Sequence, residues 1–175
     1  ETAGGASANV HWRNNLMLGE NALGPIFTVN TLTNYSSSDY NGFHPNTGAD
    51  AFQWHSPPWN VPMIMADDSS PSKVENRKYP TLEAYVQATK QDQHSILVDY
   101  DVFMKVTKLD AKDLKTVQRL YKAEDFDFRL KPGSAAVDKG IELPTITDGF
   151  TGRAPDLGAL EVGLPMPVFG PRTSR

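Results

Sequence analysis

Asp39, Tyr40, His44, Asp50 and His55 bring carboxylates, imidazoles and a phenol into one short stretch that also holds Trp54 and Trp59. Such groups can move protons, and two of them held together can do general acid–base work. A facing pair of carboxylates serves glycosidic hydrolysis, whereas a base beside a cation or metal serves β-elimination from a uronic acid. Asp39, Tyr40, His44 and His55 are therefore the candidate catalytic residues, with Asp50 as a further acid. Trp54 and Trp59 are the candidate substrate-binding residues, because flat indole faces suit pyranose rings. The competing structural roles are equally definite: Asp39 in a turn, Tyr40 in the core or in a ladder of like side chains, and both tryptophans as packing.

Other chemistries find less in the chain. There is no cysteine, so thiolate metal sites and disulfides are excluded. His11, His44, His55 and His94 show no close paired spacing of the kind a zinc site uses. Asp67-Asp68-Ser69-Ser70 lacks a full calcium-loop pattern and reads as a solvated turn. No P-loop or dinucleotide fingerprint occurs, and no cofactor or metal is implied. Asp92, His94 and Ser95 look like triad members only superficially; so close in sequence, they read as the end of a helix. A net charge of −4 gives no footprint for nucleic acid. No run approaches the ~18 apolar residues that span a bilayer.

The elements that must position these residues are short. Val10, Trp12, Leu16 and Leu18 alternate before a turn at Gly19–Asn21. Ile26–Asn30 reads as a second strand, and Tyr40–Phe43 opens another. Asn15 and Asn41 stand one plausible structural repeat apart, and like asparagines in adjacent turns of a stack can hydrogen-bond. Residues 42–72 read as a long aromatic and proline-rich loop. Thr81 caps a helix to about Gln91, with Leu82, Tyr85, Val86 and Thr89 on one face. From Lys105 to Glu124 the pattern fits either a short helix capped by Asp110 or extended chain. Phe126, Phe128 and Leu130 alternate with Asp127 and Arg129 as a strand with one buried face, ended by Lys131-Pro132-Gly133-Ser134.

That last strand belongs to the most distinctive stretch of the chain, Asp125-Phe-Asp-Phe-Arg-Leu-Lys-Pro-Gly-Ser-Ala-Ala-Val-Asp-Lys-Gly140, followed by Thr147-Asp-Gly-Phe-Thr-Gly-Arg-Ala-Pro-Asp-Leu-Gly-Ala-Leu-Glu161. It resembles the closing segment of secreted bacterial right-handed parallel β-helix (pectin-lyase-like) proteins. Ser38–Phe43, Leu82–Ser95 and Val98–Phe103 are similar, in the same order, to further segments of those proteins. Tyr85 stands where they usually carry tryptophan, and the Lys105–Glu124 segment is longer than in many of them.

The resemblance implies a mainly β fold, a right-handed parallel β-helix represented by its C-terminal coils. Residues 1–43 would form terminal coils, 44–80 a long loop, and 81–175 a covering helix with capping strands, all within one domain of a longer protein. It also implies a secreted, periplasmic or surface location and a polysaccharide or oligosaccharide partner. The function implied is hydrolysis or elimination of glycans, with a noncatalytic carbohydrate-binding or scaffold role as the alternative. A preceding segment of the same protein would be the other partner, covering the first coil and carrying part of the active site. The charged residues of the terminal stretch, Asp127, Arg129, Asp138, Arg153, Asp156 and Glu161, are expected to pin the last turns rather than to catalyse.

Overall fold

The computed structural model describes residues 7–48, 50–64 and 73–167. Ten short strands and two helices follow one another: β1 (His11–Trp12), β2 (Leu16–Leu18), β3 (Phe27–Asn30), β4 (Ser37–Ser38), β5 (Gly42–His44), β6 (Phe52–Ser56), β7 (Glu75–Tyr79), α1 (Leu82–Thr89), β8 (Ile96–Leu97), β9 (Phe103–Lys105), α2 (Leu114–Val117) and β10 (Asp127–Leu130). They form four separate sheets, β1–β4, β2–β5–β8, β3–β6–β7 and β10–β9.

Parallel pairing aligns His11 with Ser37, Leu16 with Gly42 and Phe27 with Phe52. Asn15 Nδ2 donates to Asn41 Oδ1 at 2.9 Å across 26 residues, the contact expected of those two asparagines. The expectation of a right-handed parallel β-helix is nevertheless corrected. The sheets are two or three strands wide and disconnected. β6 pairs antiparallel with β7, and β9 pairs antiparallel with β10, so parallel pairing does not continue into stacked coils among the described residues. The physical reason lies in the elements that intervene. β7 takes the open side of β6, and a single 3₁₀ turn at Tyr100–Val102 interrupts extended chain within Val98–Phe103.

Side-chain alternation fixes which face each strand buries. In β6, Phe52, Trp54 and Ser56 point inward while Gln53 and His55 face out. Phe27 and Val29 of β3 do the same, and with Phe43, Phe52, Trp54, Leu82 and Tyr85 they make the main core. Tyr85 stacks on Phe52 at 5.2 Å and meets Phe27 edge-on. The segment read as a long loop thus contains a central core strand and its antiparallel neighbour. A second cluster, Val98, Val102, Leu130, Ala136 and Leu157, joins β9, β10 and the terminal segment.

The α1 helix forms where its pattern places it, with Thr81 Oγ1 accepting from Ala84 N and Leu82, Tyr85 and Thr89 buried. Lys90 ends it in the left-handed conformation, φ 60°. Only one turn of helix forms in the ambiguous segment, capped by Asp113 rather than Asp110. Leu114, Val117 and Leu120 stay exposed there, so no apolar face extends it. Phe128 also lies on the surface, 54% exposed, although Leu130 is buried as its alternation requires.

Candidate active site

The β1–β4 pairing turns Trp12 and Ser38 toward the protein and sets His11 beside Ser37 on the opposite face. The chain continues in the same register. Asp39 N and Arg13 Nη1 both donate to the carbonyl of Trp12, at 3.1 and 2.8 Å, so Arg13 and Asp39 meet at one oxygen. Arg13 also donates to Ser37 O and Ser37 Oγ, and among the described residues it has no carboxylate partner.

A third layer is supplied by the turn after α1. Asp92 N donates to Ser38 O, and Ser38 N donates to Gln91 Oε1, which lays Gln91–Asp92 along β4. Two residues further on, His94 N donates to Asp39 Oδ1 at 2.7 Å, and His94 Nδ1 lies 2.8 Å from Asp39 Oδ2. An ionised carboxylate only accepts, so Nδ1 carries a hydrogen and, in the neutral ring, Nε2 keeps the lone pair. The side chain is 59% exposed. Tyr40, held at φ 56°, stacks on the imidazole at 4.6 Å. Burial pushes the Asp39 carboxyl upward, but bonds from the His94 side chain, His94 N and Tyr40 N outweigh it and hold the group below its ordinary value.

Beneath this row runs a buried polar network. Asn41 Nδ2 and Ser95 Oγ both donate to Asp92 Oδ1, at 3.0 and 2.6 Å. Asp92 Oδ2 and the Tyr85 hydroxyl are buried without a hydrogen-bond partner. Burial and the Asp92 charge push the Tyr85 phenol far up. Asp92, His94 and Ser95 are therefore split between two partners: Ser95 serves Asp92, and His94 serves Asp39.

The other expected site residues lie apart from this row. His44 Nδ1 donates to Val98 O, its Nε2 is 3.2 Å from Glu20 Oε2, and Lys108 bridges Glu20 and Asp99. The bond from His44 to Val98 O ties β5 to the segment after β8. His55 Nδ1 pairs with Asn30 Oδ1 at 2.7 Å on the outer face of β6, and burial with the Lys78 and Arg77 charges lowers its pKa. Asp50 is exposed. Trp54 is 1% exposed and belongs to the core. Trp59 is exposed, with the Arg77 guanidinium 4.0 Å above its ring. Asp67–Ser70 lies outside the described residues.

The carboxylates of the terminal segment are spent on backbone. Asp138 Oδ1 accepts from Arg153 N and Ala154 N, Asp156 from Asp138 N and Val162 N, and Glu161 from Thr151 N and Asp156 N. A cleft of about 990 Å³ lies against this segment, lined by Phe103, Phe126, Phe128 and Phe150 and reaching Arg13. Among the described residues no group of three or more His, Asp or Glu is placed to hold a metal ion, and no helix is long and apolar enough to cross a membrane.

Sequence reasoning reached Asp39 and Tyr40, set His94 aside with Asp92 and Ser95 as a helix end, and did not reach Arg13 or Ser37. The spacing that pairs Asn15 with Asn41 also pairs His11 with Ser37, 26 residues in each case, and that signal was present in the chain. His94 is 55 residues from Asp39 and carries no such signal. Set beside known proteins, the chain matches no family model, no curated protein and no solved structure.

Proposed function

We propose that the protein acts on an acidic polysaccharide outside the cytoplasm and cleaves it by β-elimination. The observation that carries this reading is the Asp39–His94 pair, an exposed imidazole held through Nδ1 by a carboxylate. In the proposed step His94 Nε2 takes the proton α to the uronate carboxylate, and Arg13 balances the charge that develops there. The bond from the β carbon to the glycosidic oxygen breaks as the double bond forms, and Tyr40 protonates the leaving oxygen. The aromatic cleft that reaches Arg13 offers ring faces to neighbouring sugars.

Elimination is favoured over hydrolysis because Asp138, Asp156 and Glu161 are committed to backbone N–H groups. The likeness of the Asp125–Gly140 and Thr147–Glu161 segments to secreted glycan-cleaving proteins supports the same substrate class. A second reading, binding without cleavage, is favoured by the outer face of β3–β6–β7. Asn30 and Asn76 flank His55 there in register, with Gln53 beside Lys78, and the amide and ammonium groups of such a row suit sugar hydroxyls.

The test is a panel of polyuronates, following both the ultraviolet absorbance of unsaturated uronates and new reducing ends. Unsaturated products that fall at least ~100-fold in His94→Gln, with folding unchanged, support elimination. Retention of glycans without either product replaces it with the binding reading, and saturated reducing ends alone replace it with hydrolysis.

A further inference from the structure

On the same face as the Asp39–His94 pair, one residue row away, the hydroxyl of Ser37 is held between two basic side chains. Ser37 Oγ lies 2.8 Å from His11 Nδ1 and accepts from Arg13 Nη2 at 2.7 Å. A guanidinium can only donate, and a serine hydroxyl has one proton to give. With Arg13 on one lone pair, Oγ keeps its proton and a second lone pair, and the His11 tautomer that carries its hydrogen on Nε2 takes that proton at Nδ1. In that tautomer His11 is the reverse of His94, whose Nδ1 donates to Asp39.

The geometry is over-determined by backbone. His11 and Ser37 are register partners in the β1–β4 pair, and Ser37 N donates to Val10 O at 3.0 Å. Arg13 Nη1 is tied to Trp12 O and Ser37 O, so the guanidinium cannot swing away without giving up both bonds. His11 is exposed and Ser37 half-buried, so the pair lies at the protein surface.

We propose that Ser37 is a nucleophile activated by His11 and Arg13, and that this second centre removes small acyl groups from O-acyl esters, a modification that the hydroxyls of a glycan can carry. A hydroxyl aimed at a base before substrate arrives is the arrangement nucleophilic catalysis requires. Ser37 Oγ bonds to the acyl carbon as its proton passes to His11 Nδ1, and the carbonyl oxygen takes up the negative charge beside Arg13. The ester C–O bond then breaks, and the alcohol leaves with the proton from His11. Water, deprotonated by His11, cleaves the acyl-serine, releases the carboxylic acid and restores the hydroxyl.

The experiment exposes the intact chain to diisopropyl fluorophosphate and, separately, to p-nitrophenyl acetate, with peptide mass mapping of any adduct. The expected result is one adduct on Ser37 and release of nitrophenolate, both absent in Ser37→Ala. Labelling slows at least ~10-fold in His11→Gln with unchanged circular dichroism. Arg13→Lys, which keeps the charge but not the fork, is expected to slow labelling too. Absence of an adduct on Ser37 in the folded protein overturns the proposal, and so does labelling at an undiminished rate in folded His11→Gln. Neither reagent contains a uronate, so failure here leaves the elimination reading intact.

Discussion

Asn14 and Ile141 exchange two hydrogen bonds of 2.8 Å across 127 residues of chain, Nδ2 donating to the Ile141 carbonyl and Ile141 N donating to Oδ1. Asn14 is buried and sits at φ 57°, a left-handed conformation that asparagine tolerates better than most residues. Its own backbone reaches both ways, N donating to Tyr40 O and O accepting from Gly158 N. The residue therefore couples the row that carries Asp39 to the terminal segment. Asn14→Ala removes the side-chain partner of a half-buried N–H and C=O at Ile141, at about 0.5–1.5 kcal/mol for each bond. Chemical denaturation should register the loss, and Asn14→Asp should recover little of it, because the bond to the carbonyl needs a donor.

Trp54 and Trp59 are five residues apart and should answer differently to truncation. Trp54 is packed against Trp12 and Tyr85, so Trp54→Ala should cost about 3–5 kcal/mol. Trp59→Ala removes an exposed ring and one cation–π contact with Arg77, about 0.5–1 kcal/mol. Equal losses for the two in thermal unfolding would contradict the burial described above.

The depressed carboxyl of Asp39 links folding to acidity. A folded pKa below the unfolded value contributes stability that is fully present above about pH 4. That stability is lost as pH falls through the lower folded value, because protonation breaks the bonds from His94 and Tyr40. Asp39→Asn should flatten the acid side of the stability profile, and the Asp39 carboxyl resonance should titrate below an ordinary aspartate.

His55 carries the same sign at higher pH. Burial, then Lys78 and Arg77, disfavour its charged form, so its contribution is present above about pH 6.5 and falls as acid protonates the ring. His55→Gln should remove that component from unfolding measured across the neutral range. A ring whose proton resonances titrate above the free imidazole value would contradict this.

Gly152 is required by Asp138. It stands at φ 92°, and a Cβ there would collide with Asp138 Oδ1, the atom that accepts from Arg153 N and Ala154 N. Gly152→Ala should destabilise by about 1–3 kcal/mol and release the terminal turns first, seen as faster amide exchange at Arg153 and Ala154.

Much of the local structure was legible in the chain because single residues encode it. Thr81 with the Leu82–Tyr85–Thr89 face specified α1, and of the charged terminal residues read as pins Asp138, Asp156 and Glu161 accept from backbone N–H groups, whereas Asp127 pairs with Arg129. The fold as a whole was not legible, because pairing direction is decided by contacts distant in sequence. Nothing within Glu75–Tyr79 announces that it lies antiparallel on β6. The core strand β6 was hidden for a related reason: Trp54 and His55 alternate in and out, yet prolines and polar residues around them give a loop-like composition. At the candidate site, Asp39 and Tyr40 were visible as residue types, whereas His94 became their partner only when the turn after α1 was laid along β4.

β7 has a further consequence for how the molecule behaves in a crowd. One of its sides is occupied by β6, and its sequence is Glu-Asn-Arg-Lys-Tyr, with Asn76 and Lys78 projecting outward. A bare strand margin is a template on which a second chain can polymerise, and lysine and arginine along it make that addition unfavourable. Replacing Lys78 with threonine or valine would leave the β6–β7 ladder and the Arg77 bonds to Ser56 and Pro57 in place, yet would remove a charge that disfavours the addition of a second copy along that margin.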